Sequence, residues 1–271
     1  MSSPLVSVIM GVYNCTKVNL LEKSINSIIN QTYTNWELII CNDGSTNDTL
    51  AILQSMADID NRIHILSYKQ NVGLHFALNT CIKEARGKYL ARQDDDDISE
   101  PARFEKQVNF LEYNMAFDIV GTTAKIYNDE GIWGEFGVPE YPSKKDFLWN
   151  SPFIHPSTMI RLDSMKKVGG YRVAKETRRC EDYDLFMRMY AMGMKGYNIQ
   201  TPLYQYRMIN DPNKTYRPLK YRFDEMKVRA IGYKKLWGPL PYITTFPYII
   251  KPIIVGLIPS QIFSKIRKRQ Y

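Results

Sequence analysis

Four carboxylates in a row, Asp94-Asp95-Asp96-Asp97, follow the apolar-leaning run Tyr89-Leu90-Ala91, with Glu100 and Pro101 just behind. Adjacent like charges repel, so crowding them contributes nothing to stability. A charge run on a loop is ordinarily a solvated surface. This one begins where a buried strand should stop, and in open α/β sheets ligands bind beyond the carboxyl ends of the strands. Alternate carboxylates at such a point suit a hard divalent cation, which takes oxygen ligands and shares them with substrate phosphates. The stretch therefore predicts a metal–phosphate site. Glu100 reads as a helix-start residue before Pro101.

The elements around it are those of a nucleotide-type α/β domain. Residues 6–10 and 37–41 are short, apolar and β-branched, as buried strands are. Asn42-Asp43-Gly44-Ser45 is a turn sequence, with Gly44 supplying backbone freedom. Residues 62–66 form a third strand. After Asn71-Val72-Gly73, Leu74, Ala77, Leu78, Cys81, Ile82 and Ala85 recur at helical spacing until Gly87. Strands alternating with helices predict βαβ units and a mostly parallel central sheet with flanking helices. Past Pro101 the pattern is looser: a helix face at Phe104, Val108 and Leu111, a strand at 118–121, and a Gly- and aromatic-rich stretch over 124–142 without clear periodicity. His155-Pro156 leads into a further strand. His155 itself reads as structural, with an acceptor or diphosphate contact as the alternative. After the turn Gly169-Gly170-Tyr171-Arg172, a helix opens at Cys180-Glu181-Asp182 with acids in its first turn, where the helix dipole favours them.

A chain of 271 residues accommodates one large or two small domains. Its four cysteines, Cys15, Cys41, Cys81 and Cys180, form no C-x-x-C pair, which fits free thiols in a reducing compartment. Met1-Ser2-Ser3-Pro4 lacks the charged and apolar regions of a signal peptide, so a cytoplasmic location is expected. The net charge of +8 is densest at Lys265-Ile266-Arg267-Lys268-Arg269. Nothing resembles a recognition helix or a base-stacking platform, so no nucleic-acid partner is expected. Residues 237–263 are apolar but interrupted by five prolines and Lys251, against the uninterrupted run of ~20 apolar residues that a spanning helix needs. An interfacial segment with a polybasic end, lying on an anionic membrane, fits better than a helix packed on the domain.

Taken in order, the motifs Val6-Ser7-Val8-Ile9-Met10, Tyr13-Asn14, Gln31-Thr32-Tyr33, Glu37-Leu38-Ile39-Ile40, Asp43-Gly44-Ser45, Asn71-Val72-Gly73, Gly87-Lys88-Tyr89-Leu90-Ala91-Arg92, Asp94 to Asp97-Ile98, Gly169-Gly170-Tyr171-Arg172 and Glu181-Asp182 resemble family 2 of the inverting, nucleotide-sugar-dependent glycosyltransferases. The resemblance covers residues 4–208 and implies the GT-A fold. It implies base contacts from Tyr13 and Asp43, Asp94 near the ribose or in the metal shell, Asp96 on Mn²⁺ or Mg²⁺, and Asp182 as general base. Asp95 departs from the pattern, which often has a small residue between the paired acids. The implied reaction moves a hexose, UDP-galactose being the first-choice donor, to a sugar on undecaprenyl diphosphate in O-antigen or capsule synthesis. The enzyme would sit peripherally at the cytoplasmic face of the bacterial inner membrane. The expected domains are a nucleotide half at 1–100, an acceptor half at 101–210, and a membrane-associating C-terminal helical segment at 211–271.

Two other readings compete. A nucleotidyltransferase would need a Gly- and Lys/Arg-rich phosphate loop after the first strand, and Met10-Gly11-Val12-Tyr13-Asn14 is not one. A non-catalytic membrane scaffold would explain the basic end and leave the acid cluster unexplained. Neither a dinucleotide fingerprint nor a P-loop occurs in the chain.

Overall fold

β1 (Val6–Val12) is apolar on both faces: Val6, Val8 and Met10 enter one core layer and Ile9 the other. Such a strand belongs in the middle of a sheet covered on both sides. It pairs in parallel with β2 (Trp36–Asn42) and β4 (Tyr89–Arg92), and β3 (Ile63–Ser67) adds in parallel beyond β2. Helices α1 (Val18–Ile29), α2 (Thr49–Ala57) and α3 (Leu74–Glu84) connect these strands. The computed structural model describes residues 3–209, 218–238 and 242–258.

Beyond β4 the sheet is mixed. β8 (Met159–Arg161) runs antiparallel to β4, β6 (Ile119–Asn128) runs antiparallel to β8, and β9 (Gly196–Arg207) runs parallel to β6, with the short β5 (Ile98–Ser99) antiparallel at its edge. Among the described residues the order is β3-β2-β1-β4-β8-β6-β9-β5, with β7 (Gly131–Phe136) hairpinned onto β6. The parallel expectation thus holds for the first half of this α/β sheet. The stretch over 124–142 that looked aperiodic contains most of the β6–β7 hairpin. A register shift at Ile126/Tyr127 swaps inward and outward positions there, which erases the alternation a strand should show.

One helical layer consists of α1, α2 and α4 (Arg103–Tyr113). The other holds α3, α5 (Leu162–Val168) and α6 (Glu181–Ala191). The C-terminal helices α7 (Leu219–Trp237) and α8 (Tyr242–Gly256) join this second layer: Val228, Tyr233, Leu236 and Ile249 lie in the same buried cluster as Phe186 and Met187. Within the segment expected to be helical and membrane-associating, α7 and α8 thus contribute buried side chains to the core of the domain. Among the described residues no helix is long and apolar enough to cross a membrane. The basic run at 265–269 lies outside the described residues.

Candidate active site

The carboxyl ends of β1, β2 and β4 open on one edge of the sheet, and their loops carry the predicted residues. After β2, Gly44 adopts φ +68°, and a Cβ there would come within 2.2 Å of the Gln70 carbonyl carbon, so only glycine fits. Asp43, just before it, is buried, and its carboxylate organises the neighbouring turn. It accepts hydrogen bonds from the Val72 amide at 2.9 Å, the Gly73 amide at 2.9 Å and Asn71 Nδ2 at 2.9 Å. The Asp43 amide donates to Val12 O at 2.8 Å, tying this loop to the one after β1. There Tyr13 stands half-exposed on the wall of a 260 Å³ pocket, which Lys17, Asp95, Asp96 and Arg207 also line.

The acids occupy the turn between β4 and β5, and the chain is wrapped tightly around it. Gln93 Nε2 donates to Ser24 Oγ at 2.9 Å and to Asp97 O at 3.0 Å, while Ser24 Oγ donates to Asp94 O at 2.7 Å. The fully buried Arg103 donates to Gln93 Oε1, Ser99 Oγ and Arg92 O from below. Tyr127 donates to Asp96 O, and the Arg207 amide donates to Asp97 Oδ1 at 2.6 Å. Asp94 is ion-paired with the buried Arg92 guanidinium. Burial first, then the adjacent acids, pushes Asp95 up to about 7 and Asp96 up to about 6, and Asp97 rises well above the usual carboxylate range.

A second acidic pair approaches from the first turn of α6. Glu181 is pushed up to about 7, by burial first and then by Asp182; the Arg92 cation opposes this rise and the Asp94 charge adds to it. Tyr171 feels Arg92, Glu181, Asp182 and Asp94 together, and Tyr206 feels Asp94, Asp96 and Asp182. Asp95 and Asp96 thus line the cleft beside Tyr13, and Asp94, Asp182, Tyr171 and Arg92 lie close enough behind it to act on one another's charge. Asp43 lies behind the Tyr13 loop, turned toward residues 71–73. His155 starts a short 3-10 turn before β8 and bonds through Nε2 to Tyr171 Oη at 2.7 Å. Burial, then Arg92, holds its imidazole neutral, with a pKa well below the usual histidine value. Glu100 accepts from Lys125 at 3.2 Å and Gln205 at 3.1 Å, pinning β5 to its neighbours.

Three contributors escaped the sequence reading. Arg92 adjoins the acid run, and its position was the available signal. Glu181 stands beside Asp182 in the first turn of α6, and that adjacency is its signal. Arg207 is 110 residues from Asp97, and nothing local marks it.

Among the described residues, no cluster of three or more His, Cys, Asp or Glu side chains is arranged to hold a metal by itself. The acid turn nevertheless fits a divalent cation that completes its shell with substrate oxygens. The raised pKa values of Asp95 and Asp96 mark negative charge that a cation would relieve, and both side chains line the pocket beside Tyr13, open to a substrate's oxygens.

Known proteins resemble this chain in sequence and in fold. EpsE of Bacillus subtilis (strain 168), a glycosyltransferase by name, is 39% identical over 270 residues, covering 99% of this chain and 95% of EpsE. The O-antigen biosynthesis glycosyltransferase WbnJ of Escherichia coli is 34% identical over 212 residues, covering 76% of this chain and 80% of WbnJ. The fold matches S. aureus TarS 1–349, crystallised with UDP-GlcNAc, at a TM-score of 0.69 and 16% identity, over 92% of this chain and 71% of that one. This confirms the GT-A fold class. The sequence profile of glycosyl transferase family 2 matches residues 7–169, from β1 through the acidic turn to the glycine that closes α5, and the chain belongs to that family.

Proposed function

We propose that this protein is an inverting, divalent-cation-dependent hexosyltransferase. It moves a hexose from a UDP-sugar, UDP-galactose first among the candidates, to a sugar carried on undecaprenyl diphosphate in bacterial surface polysaccharide synthesis. The observation that carries the reading is the nearness of two acid groups from distant parts of the chain, Asp94 to Asp97 and Glu181–Asp182, whose charges act on one another and on Tyr206. The kinship with WbnJ supports the polysaccharide context. UDP as the carrier is supported by the likeness of the fold to TarS 1–349, crystallised with UDP-GlcNAc, and by the half-exposed Tyr13 ring on the pocket wall, behind which Asp43 braces the loop.

In this mechanism Asp94 and Asp96 would hold Mn²⁺ or Mg²⁺, which would supply positive charge to neutralise the leaving diphosphate. Tyr13 and the loop held by Asp43 seat the nucleotide. Asp182 takes the proton from the acceptor hydroxyl as that oxygen attacks the anomeric carbon. The bond to the diphosphate breaks on the opposite face, so an α-linked donor gives a β-linked product. Glu181, raised to about 7 by burial and by Asp182, stands beside the base and shares its surroundings. The C-terminal helices would rest on the cytoplasmic face of the inner membrane, where a lipid-linked acceptor lies.

The test is a screen of radiolabelled UDP-sugars with a lipid diphosphate-linked acceptor, with and without Mn²⁺. Transfer is expected to stop on adding EDTA and in Asp96→Ala, with the fold retained. Asp182→Asn should keep UDP binding and lose turnover by ~10²–10⁴, the range typical of general acid–base groups. Full activity of folded Asp96→Ala would overturn the metal assignment. Loss of UDP binding in Asp182→Asn would make Asp182 a donor ligand, and base catalysis would then pass to Glu181.

A further inference from the structure

The most densely bonded cation in the second core layer lies outside the site, on α7. Arg229 is buried at 2% exposure, and its guanidinium reaches four segments at once. Nη1 donates to Leu148 O at 3.1 Å and Tyr233 Oη at 2.9 Å. Nη2 donates to Trp149 O at 3.2 Å and Glu225 Oε1 at 3.0 Å. Nη1 also lies 3.5 Å from Tyr248 O in α8. Pro252, four residues on, has no N–H to give that carbonyl, so the arginine supplies the donor that the helix lacks. The guanidinium carbon stands 5.0 Å from the centre of the Tyr183 ring.

Tyr183 directly follows Glu181 and Asp182. Its hydroxyl donates to Phe147 O and lies 3.2 Å from that of Tyr233, which also donates to Phe147 O at 3.0 Å. No side chain caps the start of α6. Its first turn is instead gripped from two sides by the residues after the acids. Asp184 bonds Arg172 at 2.9 Å and Arg188 at 2.7 Å, and Tyr183 enters the Arg229–Tyr233 cluster.

We infer that Arg229 and Tyr183 are positioning residues that set the angle at which α6 presents Glu181 and Asp182 to the cleft, so that α7 and α8 form part of the catalytic apparatus. The inference rests on these acids being the base pair. Buried ion clusters give little net stability over apolar packing, but when every group is satisfied they specify one arrangement. A displacement of ~1 Å at a reacting group can cost ~10²-fold in rate.

The experiment uses the full chain with UDP-galactose and UDP-N-acetylglucosamine, water as the acceptor, and UDP release as the signal. Tyr183→Phe removes one hydroxyl and keeps the ring. Arg229→Met and Arg229→Lys remove and retain the charge. Tyr183→Phe and Arg229→Met are expected to lower kcat by about 10-fold or more and to shift the pH of half-maximal kcat. The Kd for UDP with Mn²⁺ should stay within about twofold of wild type, and Arg229→Lys should recover part of the rate. If Tyr183→Phe and Arg229→Met keep the wild-type kcat and pH profile while Glu181→Gln and Asp182→Asn lose turnover, the positioning role is overturned alone. A parallel loss of kcat and UDP affinity overturns it too, as general misfolding. If Glu181→Gln and Asp182→Asn both turn over normally, the base assignment itself falls, and this inference falls with it.

Discussion

Protonation decides how the acid turn behaves before any ligand arrives. Asp95, Asp96 and Glu181 have folded-state pKa values of about 7, 6 and 7, above their ordinary carboxylate values. Groups raised in this way contribute stability that is complete below the unfolded pKa of ~4 and lost as pH rises through 6 to 7. Asp95→Asn removes one of these charges. In metal-free protein at pH 8 it should raise Tm by ~2–4 °C, the effect of ~1 kcal/mol in a chain of this size. At pH 4.5, where Asp95 is already protonated, the gain should vanish. A calorimetric scan at the two pH values checks this, and a gain of equal size at both would mean that charge repulsion is not the cause. Residue chemistry was the most legible part of the sequence, because like charges placed side by side are conspicuous in any chain. Their partners were less so. Arg207 reaches Asp96 and Asp97 only because β9 lies where it does, and no local spacing encodes that.

At the scale of elements, the strands read best were those with no polar face, since burial on both sides leaves a pattern that needs no partner to be recognised. β1, β2 and α3 were legible on that ground. The β6–β7 hairpin was not, because its bulge breaks the alternation that marks a half-buried strand. α8 is the instructive case. Its prolines and Lys251 read as marks of an interfacial segment, yet Lys251 donates to Trp149 O at 2.7 Å and burial pushes it down to about 8. One face of α8 is thus bound to the domain, while Phe246 (53% exposed) and Ile254 (54%) project from it and Leu257 (70%) follows its end. Lys220, Lys227, Lys234 and Lys235 are exposed on the adjoining α7. Phe246→Glu with Ile254→Glu should lower partition onto phosphatidylglycerol vesicles about 10-fold or more without lowering Tm, because both side chains already face water. Unchanged partition in a flotation assay would remove α8 from the membrane argument.

For the whole molecule, the core does not end where the family match ends. Val228, Tyr233 and Leu236 of α7 and Ile249 of α8 complete the layer that covers α6. Deleting residues from Pro239 onward strips Ile249 and the Tyr248 carbonyl from that layer. Burial of a single large apolar side chain contributes ~1.5–3 kcal/mol, so the truncated chain should melt at least ~3–6 °C lower. Differential scanning calorimetry of the truncated and full chains decides it, and equal melting temperatures would restore a separable tail. The order of the sheet also governs when the cleft comes into being during synthesis. β1 to β4 pair among themselves within the first 92 residues, whereas β4 must wait for β8 and β5 for β9. Contacts between distant parts of a chain form late, because loop closure must precede them. Asp97 meets the Arg207 amide only once residue 207 has emerged, so the four aspartates remain hydrated and unstrained on a nascent chain. Their burial is completed only by the last closing steps, when β1 to β4 are already in place.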